Sequence, residues 1–153
     1  MSKPPGEREL LELLLAAGAT FHKMRHLGRR VGAVSEDGGG VWGLMRSLAL
    51  DGPQTVPQLA RTRPVTRQHI QTLVNGLLDD GLVKLIDNPR HKRSRLVALT
   101  AAGKGHYKKL DRAVLALTRR LTPAISVEEG TTALRVLARV NEALDRLIAA
   151  DKP

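Results

Sequence analysis

The chain has 153 residues and a mass of 16.7 kDa, which sets one domain, or one domain with helical extensions, as the expectation. Its 25 Lys and Arg against 15 Asp and Glu give a formal charge of +10, which favours a polyanion partner, most simply nucleic acid. The absence of cysteine excludes disulfide frameworks, thiolate metal sites and thiol redox sensing, and one Phe, one Tyr and one Trp are too few to stack successive bases of a single strand.

Taken in chain order, a first long helix is expected to start near Glu7 to Glu9, where acids favour a helix N-terminus. Leu10, Leu14, Ala17, Phe21, Met24, Gly28 and Val31 recur at spacings of three and four and mark one face. Asp37-Gly38-Gly39-Gly40 breaks it. A second helix covers Val41 to Leu50 and ends at Asp51-Gly52-Pro53. Thr55 caps a short helix over Val56 to Arg61, and Arg63-Pro64-Val65 is a tight connection. Thr66 caps a longer helix ending near Asp80, with Gly81 as C-cap. Ile70, Leu73, Val74 and Leu77 face inward on it; Arg67, Gln68, Gln71, Thr72 and Asn75 face out.

The pattern then changes period. Leu82 to Ile86 and Leu96 to Leu99 read as two strands of a hairpin whose long tip carries Arg90-His91-Lys92-Arg93-Ser94-Arg95. Asp87-Asn88-Pro89 supplies the turn signal. Thr100 caps a further helix that buries Leu110, Val114, Leu117 and Leu121 and ends or bends at Thr122-Pro123. Ser126 and Glu129 have the spacing of a capping box for the last helix, whose Leu134, Leu137, Asn141, Leu144 and Ile148 share a face. No apolar run approaches the roughly 20 residues that span a bilayer, and the acids before Leu13 to Ala19 argue against a signal peptide. The cytoplasm is therefore the expected place.

Short helix, tight turn, longer helix, strand, basic loop and strand make a helix-turn-helix followed by a wing. Residues 61–95 hold half of the excess charge, net +5. A helix locked by one apolar face and polar on the other fits the major groove of duplex DNA. Arg67 suits guanine O6 and N7; Gln68 and Gln71 suit adenine; Thr72 and Asn75 read edges or hold phosphates. An Arg-rich tip fits the neighbouring minor groove, where negative potential is focused.

These residues resemble those of a known family. Leu59-Ala60-Arg61 leading to Val65-Thr66-Arg67-Gln68, then Leu77-Leu78-Asp79-Asp80-Gly81-Leu82-Val83, are similar to the helix-turn-helix and strand entry of the MarR (multiple antibiotic resistance regulator) family. Asn88 to Ser94 followed by Leu96-Val97-Ala98-Leu99-Thr100-Ala101-Ala102-Gly103 resembles its wing and fifth helix. The resemblance covers about residues 55–105 and implies a homodimer of triangular outline, each subunit presenting one winged helix-turn-helix to a pseudo-palindromic operator. It also implies a repressor relieved by a small, often aromatic or phenolic, ligand bound between the dimerisation and DNA-binding parts. Two positions depart from the pattern. His91 stands where the family commonly has an Asp that braces the wing arginine, which leaves Asp87 as the substitute brace for Arg93. Arg63-Pro64 replaces a hydrophobic–Gly pair, stiffening the turn and adding a phosphate contact at Arg63.

The expected fold is therefore mainly α with a small β-hairpin wing, a winged helix-turn-helix with N- and C-terminal dimerisation helices. Residues 1–40 hold the N-terminal helix, 41–100 the DNA-binding domain and 101–153 the C-terminal helices. DNA contacts are expected from Arg63, Thr66, Arg67, Gln68, Gln71, Thr72, Asn75, Arg90, Lys92, Arg93 and Arg95. Helices outside the winged domain have little core of their own to cover, so Leu10, Leu14, Leu134, Leu137, Leu144 and Ile148 are read as a homodimer face. Phe21, Met24, Trp42 and Met45 either line an effector pocket or fill the core, and core filling is the simpler reading. His22 and His26 stand at i and i+4 without a third metal ligand nearby in sequence, so no metal and no cofactor is expected. No nucleophile elbow, phosphate loop or paired-carboxylate arrangement points to an enzyme. A sequence-independent architectural nucleic-acid-binding protein is the rival reading.

Overall fold

A computed structural model describes residues 6–35, 40–61, 63 and 65–150. Of the sequence features above, Pro64 and most of the Asp37–Gly40 break lie outside the described residues. The chain divides into two compact units, residues 1–114 and 115–153.

In the first unit, α1 (Glu7–Arg30) opens with Gly6, whose N–H donates to Glu9 Oε2 at 2.9 Å. It stops earlier than the apolar spacing suggests. Gly32 takes φ +76°, a left-handed conformation that favours glycine, and Ala33 N–H returns to Gly28 O at 2.8 Å. Helix α2 (Val41–Leu50) precedes α3 (Val56–Arg61), where Thr55 and Gln58 close a capping box: Thr55 N–H to Gln58 Oε1 at 2.8 Å and Gln58 N–H to Thr55 Oγ1 at 3.3 Å. The start of α4 (Arg67–Asp79) is fixed by Thr66 Oγ1 accepting from His69 N–H at 3.1 Å. Its end is fixed by Gly81 at φ +67° and by Leu82 N–H donating to Leu77 O at 2.9 Å.

The chain then forms β1 (Val83–Ile86) and β2 (Leu96–Leu99), antiparallel with Val83 opposite Leu99 and Ile86 opposite Leu96. The first strand starts one residue later than the apolar run, because Leu82 closes the helix end. Gln54 adds an edge on the other side of β2, exchanging both backbone hydrogen bonds with Val97. Helix α5 (Ala101–Leu121) is capped by Thr100 Oγ1, which accepts from Gly103 N–H at 2.9 Å. At Gly103 a side chain is impossible without movement, since an added Cβ would lie 1.8 Å from Leu82 O.

One core holds these elements together. Leu44, Met45 and Leu48 of α2 meet Leu59 of α3, Ile70, Leu73, Val74 and Leu77 of α4, and Val83, Val97 and Leu99 of the hairpin. Each such side chain contributes about 1.5–3 kcal/mol on burial. The four inward positions expected on α4 are all buried. On α5 the expectation holds for Leu110, and Val114 and Leu117 are half-buried, but Leu121 is exposed. The core ends before the helix does.

The second unit holds the end of α5, a 3₁₀ turn (Thr122–Ala124) and α6 (Val127–Ala150). Pro123 lacks the amide needed to continue the helix. The capping box forms as spaced: Ser126 N–H donates to Glu129 Oε2 at 2.7 Å and Glu129 N–H to Ser126 Oγ at 3.2 Å. None of the residues of α6 is buried.

Candidate nucleic-acid interface

The outward face of α4 is built by difference. Burial of every third or fourth residue leaves Arg67, Gln68, Gln71, Thr72 and Asn75 exposed together, with Thr66 at the helix entrance. Two of these amides brace one another, Gln71 Nε2 donating to Asn75 Oδ1 at 2.9 Å. Thr72 Oγ1 donates to Gln68 O at 3.1 Å. The face therefore offers a guanidinium at its first turn and a partly pre-ordered amide pair behind it.

The hairpin tip carries Arg90, His91, Lys92 and Arg93, all exposed. Its shape is set by Asn88, whose Nδ2 donates to Ser94 O at 2.9 Å and whose Oδ1 accepts from Arg90 N–H at 3.0 Å. Asp87 does not brace Arg93. It lies 3.9 Å from Arg95 Nε, and Arg95 Nη2 donates to Leu85 O at 2.9 Å. The reason is register: Arg95 is next to the strand and can reach back along it, whereas Arg93 stands on the tip. Both members of that ion pair are exposed, so it is weak.

Arg63 is placed differently from its neighbours. Its guanidinium donates to Leu59 O at 3.1 Å, to Ser47 Oγ at 2.8 Å and to Gly43 O. It ties α2 to the end of α3, and burial lowers its pKa from the ordinary guanidinium value. The phosphate contact expected of it competes with three acceptors already in place.

The structure places the four residues read as a pocket or as core in different settings. Met45 is fully buried in the core. Trp42 is half-buried, with Nε1 donating to Asp111 Oδ1 of α5 at 3.0 Å and Arg46 lying 5.8 Å over its ring. Met24 is 62% exposed. Phe21 borders a cavity of about 540 Å³ between α1 and the start of α4, with Arg25, Val65, His69, Ile70 and Leu73. Sequence reasoning missed the Trp42–Asp111 bond, which joins residues 69 apart. It also missed Gln58, although the Thr-x-x-Gln spacing was readable.

The residues read as a dimer face are exposed in the single chain. Leu10 and Leu14 lie on α1, and Leu134, Leu137, Leu144 and Ile148 on α6, where Leu134 is 71% exposed.

A helix-turn-helix, an antiparallel hairpin with a cationic tip and a long helix after it define a winged helix-turn-helix protein. Comparison with known proteins narrows the class. Residues 39–94 match the MarR family. An uncharacterised protein of Mycobacterium tuberculosis is 33% identical over 111 residues, 72% of this chain and 72% of that protein. Among solved structures, a mutant MarR from E. coli complexed with operator DNA has a TM-score of 0.73 at 20% identity, covering 90% of this chain and 99% of that one. MarR of Staphylococcus aureus in complex with salicylate and kanamycin has a TM-score of 0.70 at 17% identity, covering 91% and 92%. A probable transcriptional regulator of Pseudomonas aeruginosa has a TM-score of 0.71 at 23% identity, covering 84% and 96%. The chain belongs to the MarR family of winged-helix transcriptional regulators. No helix among the described residues is long and apolar enough to cross a membrane.

Proposed function

We propose that the protein is a cytoplasmic, homodimeric repressor that binds a pseudo-palindromic operator in duplex DNA. The observation that carries this reading is the exposed face Thr66–Arg67–Gln68–Gln71–Thr72–Asn75 on a helix anchored by four buried residues, followed in the chain by a cationic hairpin tip. Arg67 in the first turn reads guanine, and Gln68 with the Gln71–Asn75 pair reads adenine edges. Arg90, Lys92 and Arg93 enter the minor groove, and Arg95 next to them faces phosphate. Dimerisation through Leu10, Leu14, Leu134, Leu137, Leu144 and Ile148 places two recognition helices about one helical turn of DNA apart.

Relief of repression by a small ligand has a site that suits it. The cavity beside Phe21 reaches Thr66, the N-cap of α4, so an occupant touches the start of the recognition helix. The S. aureus neighbour, in complex with salicylate, supports a small aromatic acid as the first compound to try.

Gel shifts on a palindromic operator and its scrambled version test the reading. Tight, salt-sensitive binding to the palindrome alone is expected, with a log–log salt slope near −7 if a dimer neutralises about eight phosphates. Equal affinity for both duplexes at moderate salt rejects the specific regulator and leaves an architectural binder. Loss of binding in Arg67→Ala with Arg93→Ala assigns the contact surface.

A further inference from the structure

A second cavity, about 530 Å³, opens where the C-terminal end of α2, the Gly52–Pro53 turn, β2 and the first turns of α5 meet. It shares no lining residue with the cavity beside Phe21, with α4 or with the hairpin tip. Its floor is an apolar trough of Leu48, Leu50, Pro53 and Leu99, and Leu50 is 60% exposed. Lys104 and Lys108, both exposed and one helical turn apart on α5, border the trough, with the ring of Tyr107 beside them.

The charge of this site is unbalanced. Two ammonium groups at i and i+4 repel each other, and no lining residue is acidic. Asp111, the one acid of α5, is engaged elsewhere. It accepts from Trp42 Nε1 at 3.0 Å, and burial together with its negative charge raises the pKa of Tyr107. Asp51 is exposed at the C-cap of α2, outside the lining. A nucleic-acid backbone would satisfy the lysines but has no use for an open trough of leucine and proline. An apolar body with one anionic head satisfies both.

We propose that this cavity binds a small amphipathic anion, its apolar body in the Leu48–Leu50–Pro53–Leu99 trough and its carboxylate or phosphate head on Lys104 and Lys108. Such an occupant bridges α2, β2 and α5 while leaving the outward face of α4 and the hairpin tip free. The site goes beyond the DNA-binding reading and does not depend on it.

The chain has a single tyrosine, and it lines the site, so isotope-labelled tyrosine gives one ring signal for nuclear magnetic resonance. The full chain is titrated with octanoate, octyl phosphate and 1-octanol. A saturable shift of the Tyr107 signal with an anion is expected, with 1-octanol at least tenfold weaker. The tighter of the two anions assigns the head group. Lys104→Ala with Lys108→Ala weakens binding at least tenfold, and because both side chains are exposed the fold should survive. Leu50→Glu, a second variant that places a carboxylate in the trough, abolishes it. No saturable shift with either anion, equal affinity for 1-octanol, or unchanged affinity in the lysine variant overturns the proposal. Because the readout is ligand binding without DNA, its failure is separate from any failure of operator recognition.

Discussion

The two compact units of the chain use similar amphipathic helices to opposite ends. In residues 1–114, helices α2, α3 and α4 and the hairpin close a core in which six side chains, Met45 and Ile70 among them, are fully buried. In residues 115–153, α6 repeats leucine at helical spacing with equal regularity and buries none of it. The difference is local company. The short elements of the first unit turn back on one another at Gly81 and along the hairpin, so each apolar face finds a partner within a few dozen residues. Helix α6 runs 24 residues from one capping box and meets no such turn. A regular apolar stripe thus identifies a helix face, while what covers that face is a separate question.

The sharpest test of this contrast is a pair of truncations. Ile70→Ala, in the closed core, should lower stability by about 2–5 kcal/mol in urea unfolding. Leu144→Ala on α6 should change it by no more than about 0.5 kcal/mol under conditions where the chain is monomeric. A large loss from Leu144→Ala in a monomer would show α6 to be part of a single-chain core. Leu137→Glu with Leu144→Glu should instead shift sedimentation from dimer to monomer, without moving the unfolding midpoint of the monomer.

Gly103→Ala comes next, at about 1–3 kcal/mol, because the new methyl group meets the Leu82 carbonyl. Gly105→Ala, with nothing within 4 Å of its Cβ, provides the control and should be neutral or stabilising in the same thermal melts.

A smaller effect separates two arginines close in sequence. Arg63→Met strips hydrogen bonds from Gly43 O, Ser47 Oγ and Leu59 O and should cost about 1–3 kcal/mol while leaving the salt slope of DNA binding nearly unchanged. Arg93→Ala should do the reverse, leaving stability intact and reducing the magnitude of the slope by about 1 per site. A slope lowered equally by both would mean that Arg63 leaves its acceptors to reach phosphate.

The smallest expected effect is at Glu129. Hydrogen bonds from the Ser126 backbone and side chain hold its pKa below the ordinary carboxylate value. A depressed folded-state pKa stabilises above the unfolded value and is lost as pH falls through the folded value. Acid titration should therefore fray the start of α6, seen as a modest loss of helical circular dichroism. Glu129→Gln should flatten that response, and an unchanged profile would remove the capping box as its source.

Much of this architecture is legible in the residues because its signals are local. Thr66, Gly81, Thr100 and the Ser126–Glu129 pair set chain direction through bonds within a few residues, and the alternation of Ile70, Leu73, Val74 and Leu77 with polar neighbours fixes the exposed face of α4. What was not legible depends on distance along the chain. Arg63 looks like one more exposed cation until the fold brings Gly43 and Ser47 beside it. Trp42 and Met45 are three residues apart and differ because only one faces Asp111. Asp87 reaches Arg95 because strand pairing, which single-residue patterns do not encode, sets which cation stands within range.

The crossing at Gly103 has a mechanical consequence. With the first turn of α5 seated on the Leu82 carbonyl, and Thr100 bonded at once to Gly81 O and to Gly103 N–H, there is no slack between the hairpin and the long helix. The root of the wing, the first turn of α5 and, through Gly81, the end of α4 therefore meet at one point. The joint works as a weld between the root of the hairpin, the end of α4 and the first turn of α5.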